Sequence, residues 1–382
     1  MKIAAVVCEY NPFHMGHQYQ LDTIRQLLAP DAIVGIMSGN FVQRGEPAVF
    51  SKQCRAAAAI QSGIDLILEL PAVLTLQSAQ RYARNAVQTL HALGCIDTLF
   101  FGAESPDTEV LVQLARVLEN EDTTFSRRLQ EELSHGLSFA AARAAAVKAI
   151  LGPASAAILS QPNNILAVEY IKELLHLQSS IRPFAISRRG AGHDATAPAD
   201  GFASASALRE MLLNGQNIYS YLPPKIADIF SQEQPFSIRC MEKAIIANLC
   251  LIPLESLRHT ADVSEGLEYA LKKAAFSADT LPELISLVKS KRYAYSRIRR
   301  IAFNAYLGIT QKDAQLLPSY IRVLDFNETG RNVLNLARKT ASLPLAKNGG
   351  QIKNHPDAQK LWQRELALDR IYNLFQNTEK KI

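Results

Sequence analysis

The chain has 382 residues, a formal net charge of +5, 48% hydrophobic residues and 20% charged residues. Such a length predicts more than one domain, and the balance excludes a disordered or low-complexity chain. Five scattered cysteines with no CxxC pair exclude a disulfide framework and a thiolate zinc site, while the mildly basic charge suits an anionic partner.

The N-terminus carries one lysine and an apolar run too soon interrupted for a signal peptide. No run of about 18 apolar residues is found, so no membrane span is expected. A cytoplasmic protein without a membrane segment is expected.

KIAAVV at Lys2–Val7 reads as a strand. It is followed at once by EYNPFHMGHQYQL, Glu9–Leu21, and by a helical pattern with Leu21, Ile24, Leu27 and Leu28 on one face. DAIVGIMSG is a second strand, KQCRAAAAIQSG a helix, and DLILEL a third strand stopped by Pro71. SAQRYARNAVQTLHALG predicts a helix ending at Gly94, with IDTLFFGAES the next strand. SFAAARAAAVKAIL and QPNNILAVEYIKELLHL are helical, IRPFAIS is one more strand, and SASALREML opens a serine-capped helix. Strand–helix alternation predicts a parallel sheet with helices on both faces. From Asn214 helical periodicity dominates, so the chain divides into units at 1–213 and 214–382.

His14 and His17, three apart around Gly16, would share a face at the start of the first helix. Unpaired N–H groups and a partial positive charge there suit phosphate, and glycine lets a nucleotide approach the backbone. The histidines would stabilise charge building at an attacked α-phosphate. In MSGNFVQRGEPAVFSKQCR, Arg44 or Lys52 could steady anionic groups in a substrate loop. Gly102 and Glu104 lie at a strand end, where open α/β sheets bind ligands. Asn163 and Asn164 stand at a helix start, with capping the plainer role for one of them. RRGAGHD offers an arginine pair beside flexible glycines.

KSKRYAYSRIRR, Lys289–Arg300, has six basic residues in twelve, no acid and two tyrosines. Lys289, Lys291, Arg292, Arg297, Arg299 and Arg300 would neutralise RNA phosphates while Tyr293 and Tyr295 stack on bases. Cys8, at the end of the first strand, reads as inert core sulfur.

The strand–NPFHxGH–helix opening resembles the HIGH-type nucleotidyltransferase and class I aminoacyl-tRNA synthetase superfamily. VCEYNPFHMGHQYQ, MSGNFVQRGEPAVFSK, ELP, FGAES, QPNNILAVEY, RRGAGHD, SASALRE and KRYAYSRIRR, in that order, resemble more closely the bacterial tRNA(Met) cytidine acetate ligase family. The resemblance implies a Rossmann-like α/β catalytic domain at 1–213 and a mainly helical tRNA-binding domain at 214–382. It implies an ATP-binding run of Val7, Cys8, Glu9, Tyr10, Asn11, Pro12, Phe13, His14, Met15, Gly16, His17, Gln18, Tyr19 and Gln20. It adds Gly102, Asn163, Arg188, Ser204, Ser206 and Arg209 as further ATP contacts.

The implied reaction activates acetate with ATP as acetyl-adenylate. It then acetylates N4 of the wobble cytidine of elongator tRNA(Met), with Mg²⁺ arriving on the ATP phosphates. Two alternatives remain open at this point. A small-molecule adenylyltransferase would use HMGH and SASALRE but leave the helical half idle. A non-catalytic RNA-binding protein would use the basic stretch and leave the nucleotide motifs idle.

Overall fold

The computed structural model describes residues 1–120, 123–137, 139–187, 203–264, 266–290 and 293–376. Its strands are β1 (Ile3–Cys8), β2 (Ala32–Ser38), β3 (Phe41–Val42), β4 (Glu46–Pro47), β5 (Leu66–Leu70), β6 (Thr98–Ala103), β7 (Arg182–Ser187), β8 (Ile321–Phe326) and β9 (Leu345–Ala346). Seven of them form one sheet in the order β7-β6-β1-β2-β5-β8-β9, and β3 and β4 form a short hairpin beside it.

From β7 to β5 the pairing is parallel. The middle strands are apolar throughout because both faces of the sheet are covered. Alternate residues of β1 sort accordingly. Ile3 and Ala5 enter one core with Tyr82, Ala86, Leu90, Val168 and Ile171, whereas Ala4, Val6 and Cys8 enter a second with Leu21, Ile24, Ala56 and Phe230. The helix Ala79–Leu93 ends where Gly94 adopts φ 72°, a left-handed cap as the sequence predicts.

The unit at 214–382 is mainly helical, yet the sheet does not respect the division at 213. β8 pairs antiparallel with β5, Leu66 opposite Phe326 and Glu69 opposite Arg322. The helix Pro356–Gln376 also returns to the first half, with the Tyr372 hydroxyl donating to Ala48 O at 2.8 Å. IRVLDF is a single six-residue strand amid helical sequence, so local periodicity gave it no weight.

One expectation about hydropathy needs correction. Residues Ala141–Ile158 reach a mean hydropathy of 1.2 over 18 residues, long and apolar enough to cross a membrane by length and composition. Nine alanines together with Val147, Ile150, Leu151 and Ile158 carry that average, and Gly152, at φ 86° and ψ 173°, breaks the helical path before Pro153. The window reads as a kinked helix, not a span.

Candidate functional site

β1 lies between β2 and β6, all three parallel, so the connections on its two sides leave in opposite directions. In sheets of this kind a ligand usually lies outside the carboxyl ends of such strands. There the chain turns at Tyr10, held at φ 46°, passes a cis Asn11–Pro12 bond, and enters the helix Met15–Leu28. A bulky residue in the left-handed region is uncommon and marks a backbone that its surroundings constrain.

The two histidines build the helix start. His14 Nδ1 accepts from Gly16 N at 3.0 Å, and His17 Nδ1 accepts from His14 N at 3.3 Å. Their rings stack with centroids 3.8 Å apart. With both Nδ1 atoms accepting, a neutral ring carries its proton on Nε2 and can donate from there. A Cβ at position 16 would stand 2.8 Å from His14 Cε1, so Gly16 admits the histidine ring over the first turn. That is a different reason for glycine from the one read in the sequence.

Tyr10 and Phe13 buttress His17, with ring centroids at 4.9 and 5.4 Å. Cys8 is buried against Ile36 O, and burial pushes its thiol far above the ordinary range, which fits inert sulfur. Val7, Met15, Tyr19 and Gln20 are half-buried, and Gln18 is turned towards Asp22 at 2.9 Å.

Glu9 and Arg55 tie this turn to its neighbours. The Glu9 carboxylate accepts from Gln43 N at 2.7 Å and Ser38 Oγ at 3.2 Å, and its burial raises its affinity for a proton. Arg55, fully buried, donates to the carbonyls of Glu9, Ser38 and Gly39 and so clamps the ends of β1 and β2 together. Arg44 is half-buried on the hairpin loop.

Lys52 lies elsewhere than a substrate loop would require. Its ammonium is buried against Glu69, at 2.7 Å, and Asp369, with Glu365 at 4.0 Å. Glu69, Glu365 and Asp369 form a group spaced closely enough for a metal ion, and Lys52 Nζ is bonded within it.

Glu104 follows β6 and caps the helix Pro162–His176. Its carboxylate accepts from Asn164 N at 2.9 Å and Asn163 Nδ2 at 2.5 Å, while Asn164 Oδ1 accepts from Ser105 N at 3.0 Å. Neither asparagine side chain caps its own helix. The acid supplied by FGAES does so, joining two motifs that are about 60 residues apart in sequence. Gly102 pairs with Ile186 near the ends of β6 and β7.

Ser204 caps the helix Ala205–Leu213 through Oγ, which accepts from Ala207 N at 3.1 Å. One turn on, Arg209 donates Nη1 to Asn11 O at 2.9 Å, and Ser206 Oγ lies 3.4 Å from its Nη2. The SASALR helix is thereby fixed to the NPFHMGH loop. Arg188, the remaining expected ATP contact, lies outside the described residues.

The basic stretch is less outward than its composition suggests. Arg300 is buried and pairs with Asp262 at 2.8 Å, a correction to a wholly solvent-facing basic surface. Arg297 bonds Asp262 O and Ser264 Oγ, and Arg299 bonds Glu46 at 2.9 Å. Lys289 and Tyr295 are exposed, Tyr293 is half-buried, and Lys291 and Arg292 fall outside the described residues.

The sequence matches the HIGH Nucleotidyl Transferase family over residues 1–382. A tRNA(Met) cytidine acetate ligase of Thermoanaerobacter sp. (strain X514) is 38% identical over 388 residues, covering 98% of this chain and 95% of that protein. One from Caldanaerobacter subterraneus subsp. tengcongensis is 36% identical over 382 residues, with the same coverage of 98% and 95%. The apo crystal structure of Thermotoga maritima TmcAL superposes with a TM-score of 0.94 at 34% identity, over 100% of this chain and 96% of that one. The same protein bound with alpha-thio ATP gives a TM-score of 0.91 at 33% identity, over 100% and 97%. A mostly parallel sheet, a histidine-capped first helix and a full-length match at this identity place the chain in the HIGH nucleotidyltransferase family, among the tRNA(Met) cytidine acetate ligases.

Proposed function

We propose that this chain is an ATP-dependent tRNA(Met) cytidine acetate ligase. The observation that carries the reading is the bond from Arg209 to Asn11 O, which joins two nucleotide-binding motifs 198 residues apart at the end of β1. A phosphate chain lying between the histidine-capped helix and the serine-capped helix would meet both.

In this reading acetate attacks the α-phosphate of ATP and pyrophosphate leaves. His14 and His17 donate hydrogen bonds from Nε2 as charge builds there, each worth a few kcal/mol at roughly 10²–10³ in rate. Ser204, Ser206 and Arg209 hold the departing phosphates, and Mg²⁺ travels with them. Gly102 and Asn163 border the nucleoside. The N4 amine of the wobble cytidine of elongator tRNA(Met) then attacks the activated acetyl carbon, forming the amide and releasing AMP. Lys289, Tyr293 and Tyr295 belong to the surface that receives the RNA. The chain would act in the cytoplasm, where its substrates are made.

Radiolabelled acetate, bulk bacterial tRNA and the purified protein, with ATP and Mg²⁺ present or withheld, test the reading. The expected result is ATP-dependent label recovered as acetylcytidine after nuclease digestion. Intact ATP and tRNA binding without label would overturn it and direct attention to pyrophosphate release on phosphorylated small molecules.

A further inference from the structure

Glu46 stands between the nucleotide motifs and the basic stretch. Its Oε1 lies 3.2 Å from Arg209 Nη2, and its Oε2 lies 2.9 Å from Arg299 Nη1. The residue sits on β4 and is buried. Each arginine is anchored separately by a backbone carbonyl, Arg209 on Asn11 O at 2.9 Å and Arg299 on Arg44 O at 3.0 Å. One carboxylate is thus divided between two fixed cations. Burial works against its charge, yet Arg209, Arg299 and Arg44 together keep the carboxyl below its ordinary range.

Both cations are natural anchors for phosphate, since guanidinium groups exchange a carboxylate for a phosphate with little change of geometry. Whatever anion engages one arginine frees part of the Glu46 charge for the other. Reciprocity of binding free energies then makes the two anions antagonists.

We propose that Glu46 is a positioning residue, a shared counter-ion through which RNA docking at Arg299 loosens the grip of Arg209 on the β- and γ-phosphates. The inference rests on the assignment of Arg209 to those phosphates. An RNA phosphate at Arg299 leaves Glu46 to pair fully with Arg209, and Arg209 gives up pyrophosphate. The acetyl-adenylate has no β- or γ-phosphate and keeps its place. RNA arrival therefore clears the product of the first step without dislodging the intermediate that the second step consumes.

Equilibrium binding of α,β-methylene-ATP and of AMP to the full chain, with and without unmodified tRNA(Met) transcript, reads the coupling. Saturating tRNA is expected to weaken α,β-methylene-ATP binding by about fivefold, a coupling within the ordinary allosteric range, and to leave AMP unaffected. Glu46→Gln should tighten the analogue in the absence of RNA and remove the tRNA effect. Arg299→Ala should do the opposite in the absence of RNA and weaken the analogue, because the undivided carboxylate then faces Arg209 alone. A merely structural role would weaken binding in both variants, and that outcome overturns the proposal. So does an equal tRNA effect in the wild-type and Glu46→Gln proteins. If the wild-type chain binds neither analogue nor tRNA, the functional reading itself fails, a result distinct from independent binding of both.

Discussion

Lys52 Nζ lies 2.7 Å from Glu69 Oε1, and neither side chain exceeds 1% exposure. Around this pair Asp369 and Glu365 come from the helix Pro356–Gln376, and Arg322 comes from β8, with its Nε 2.9 Å from Glu69 Oε2. Burial disfavours the charge on Lys52, but the neighbouring carboxylates, Glu69 foremost, outweigh it and hold the ammonium protonated. Burial, followed by the neighbouring Glu69, drives Glu365 well above the ordinary carboxylate range. With Glu365 neutral, two cations face two anions.

Lys52→Met is expected to destabilise the fold by about 3–5 kcal/mol, because it strands buried carboxylates. Denaturant unfolding followed by circular dichroism measures this. A stability unchanged within error, together with a raised KM for acetate, would return Lys52 to a substrate loop.

The raised Glu365 carboxyl makes a pH prediction whose sign follows from linkage. Folded chains hold a proton on Glu365 that unfolded chains release above about pH 4.3, so this group lowers stability as pH rises beyond that value. Glu365→Gln keeps the neutral shape and should flatten the fall. Thermal unfolding from pH 5 to pH 8 checks it, and parallel curves for the two proteins would refute it.

His17→Ala should reduce acetate-dependent ATP–pyrophosphate exchange by roughly 10²–10³, the loss typical of one transition-state donor. Retention of tRNA affinity in filter binding would separate this from misfolding. Full exchange activity in the variant would remove His17 from the chemistry.

Gly45 holds φ +78°, and a Cβ there would stand 2.6 Å from both N and Cα of Arg300. Gly45→Ala must push the β3–β4 hairpin off the helix Tyr295–Leu307. A destabilisation of about 1–3 kcal/mol is expected from the strained backbone. Differential scanning calorimetry would report it, and a Tm equal to wild type would contradict the packing described.

Arg300→Ala and Lys289→Ala should part company. The first leaves Asp262 partly buried beside a lost partner and should lower Tm. The second should leave Tm unchanged, weaken tRNA binding and reduce its salt slope by about one. Interchanged outcomes would mean that Arg300, not Lys289, faces the RNA.

Much of this was legible because it is local. The strand–HMGH–helix sequence specifies the helix start on its own, and SASALRE specifies its cap, since both depend on residues within one turn. The parallel sheet followed from alternating runs. The Arg209–Asn11 bond could be expected only from resemblance, because no periodicity links positions 198 apart. The fate of Lys52 could not be read at all. Its partners Glu365 and Asp369 lie more than 300 residues downstream, on a helix whose own pattern is indifferent to them. Basic composition likewise counts charges, and Asp262 and Glu46 had already claimed two of the arginines.

The antiparallel seat of β8 has a bearing on how the chain is made. Until Ile321–Phe326 has left the ribosome, β5 presents an unpaired apolar edge, Leu66–Leu70, to its surroundings. An open edge of that kind is a template for pairing between nascent chains. Some 250 residues of synthesis, at about 5–20 residues per second, keep it open for tens of seconds. The segment that carries β8 is therefore also what shields the parallel sheet of the N-terminal half from aggregation at birth.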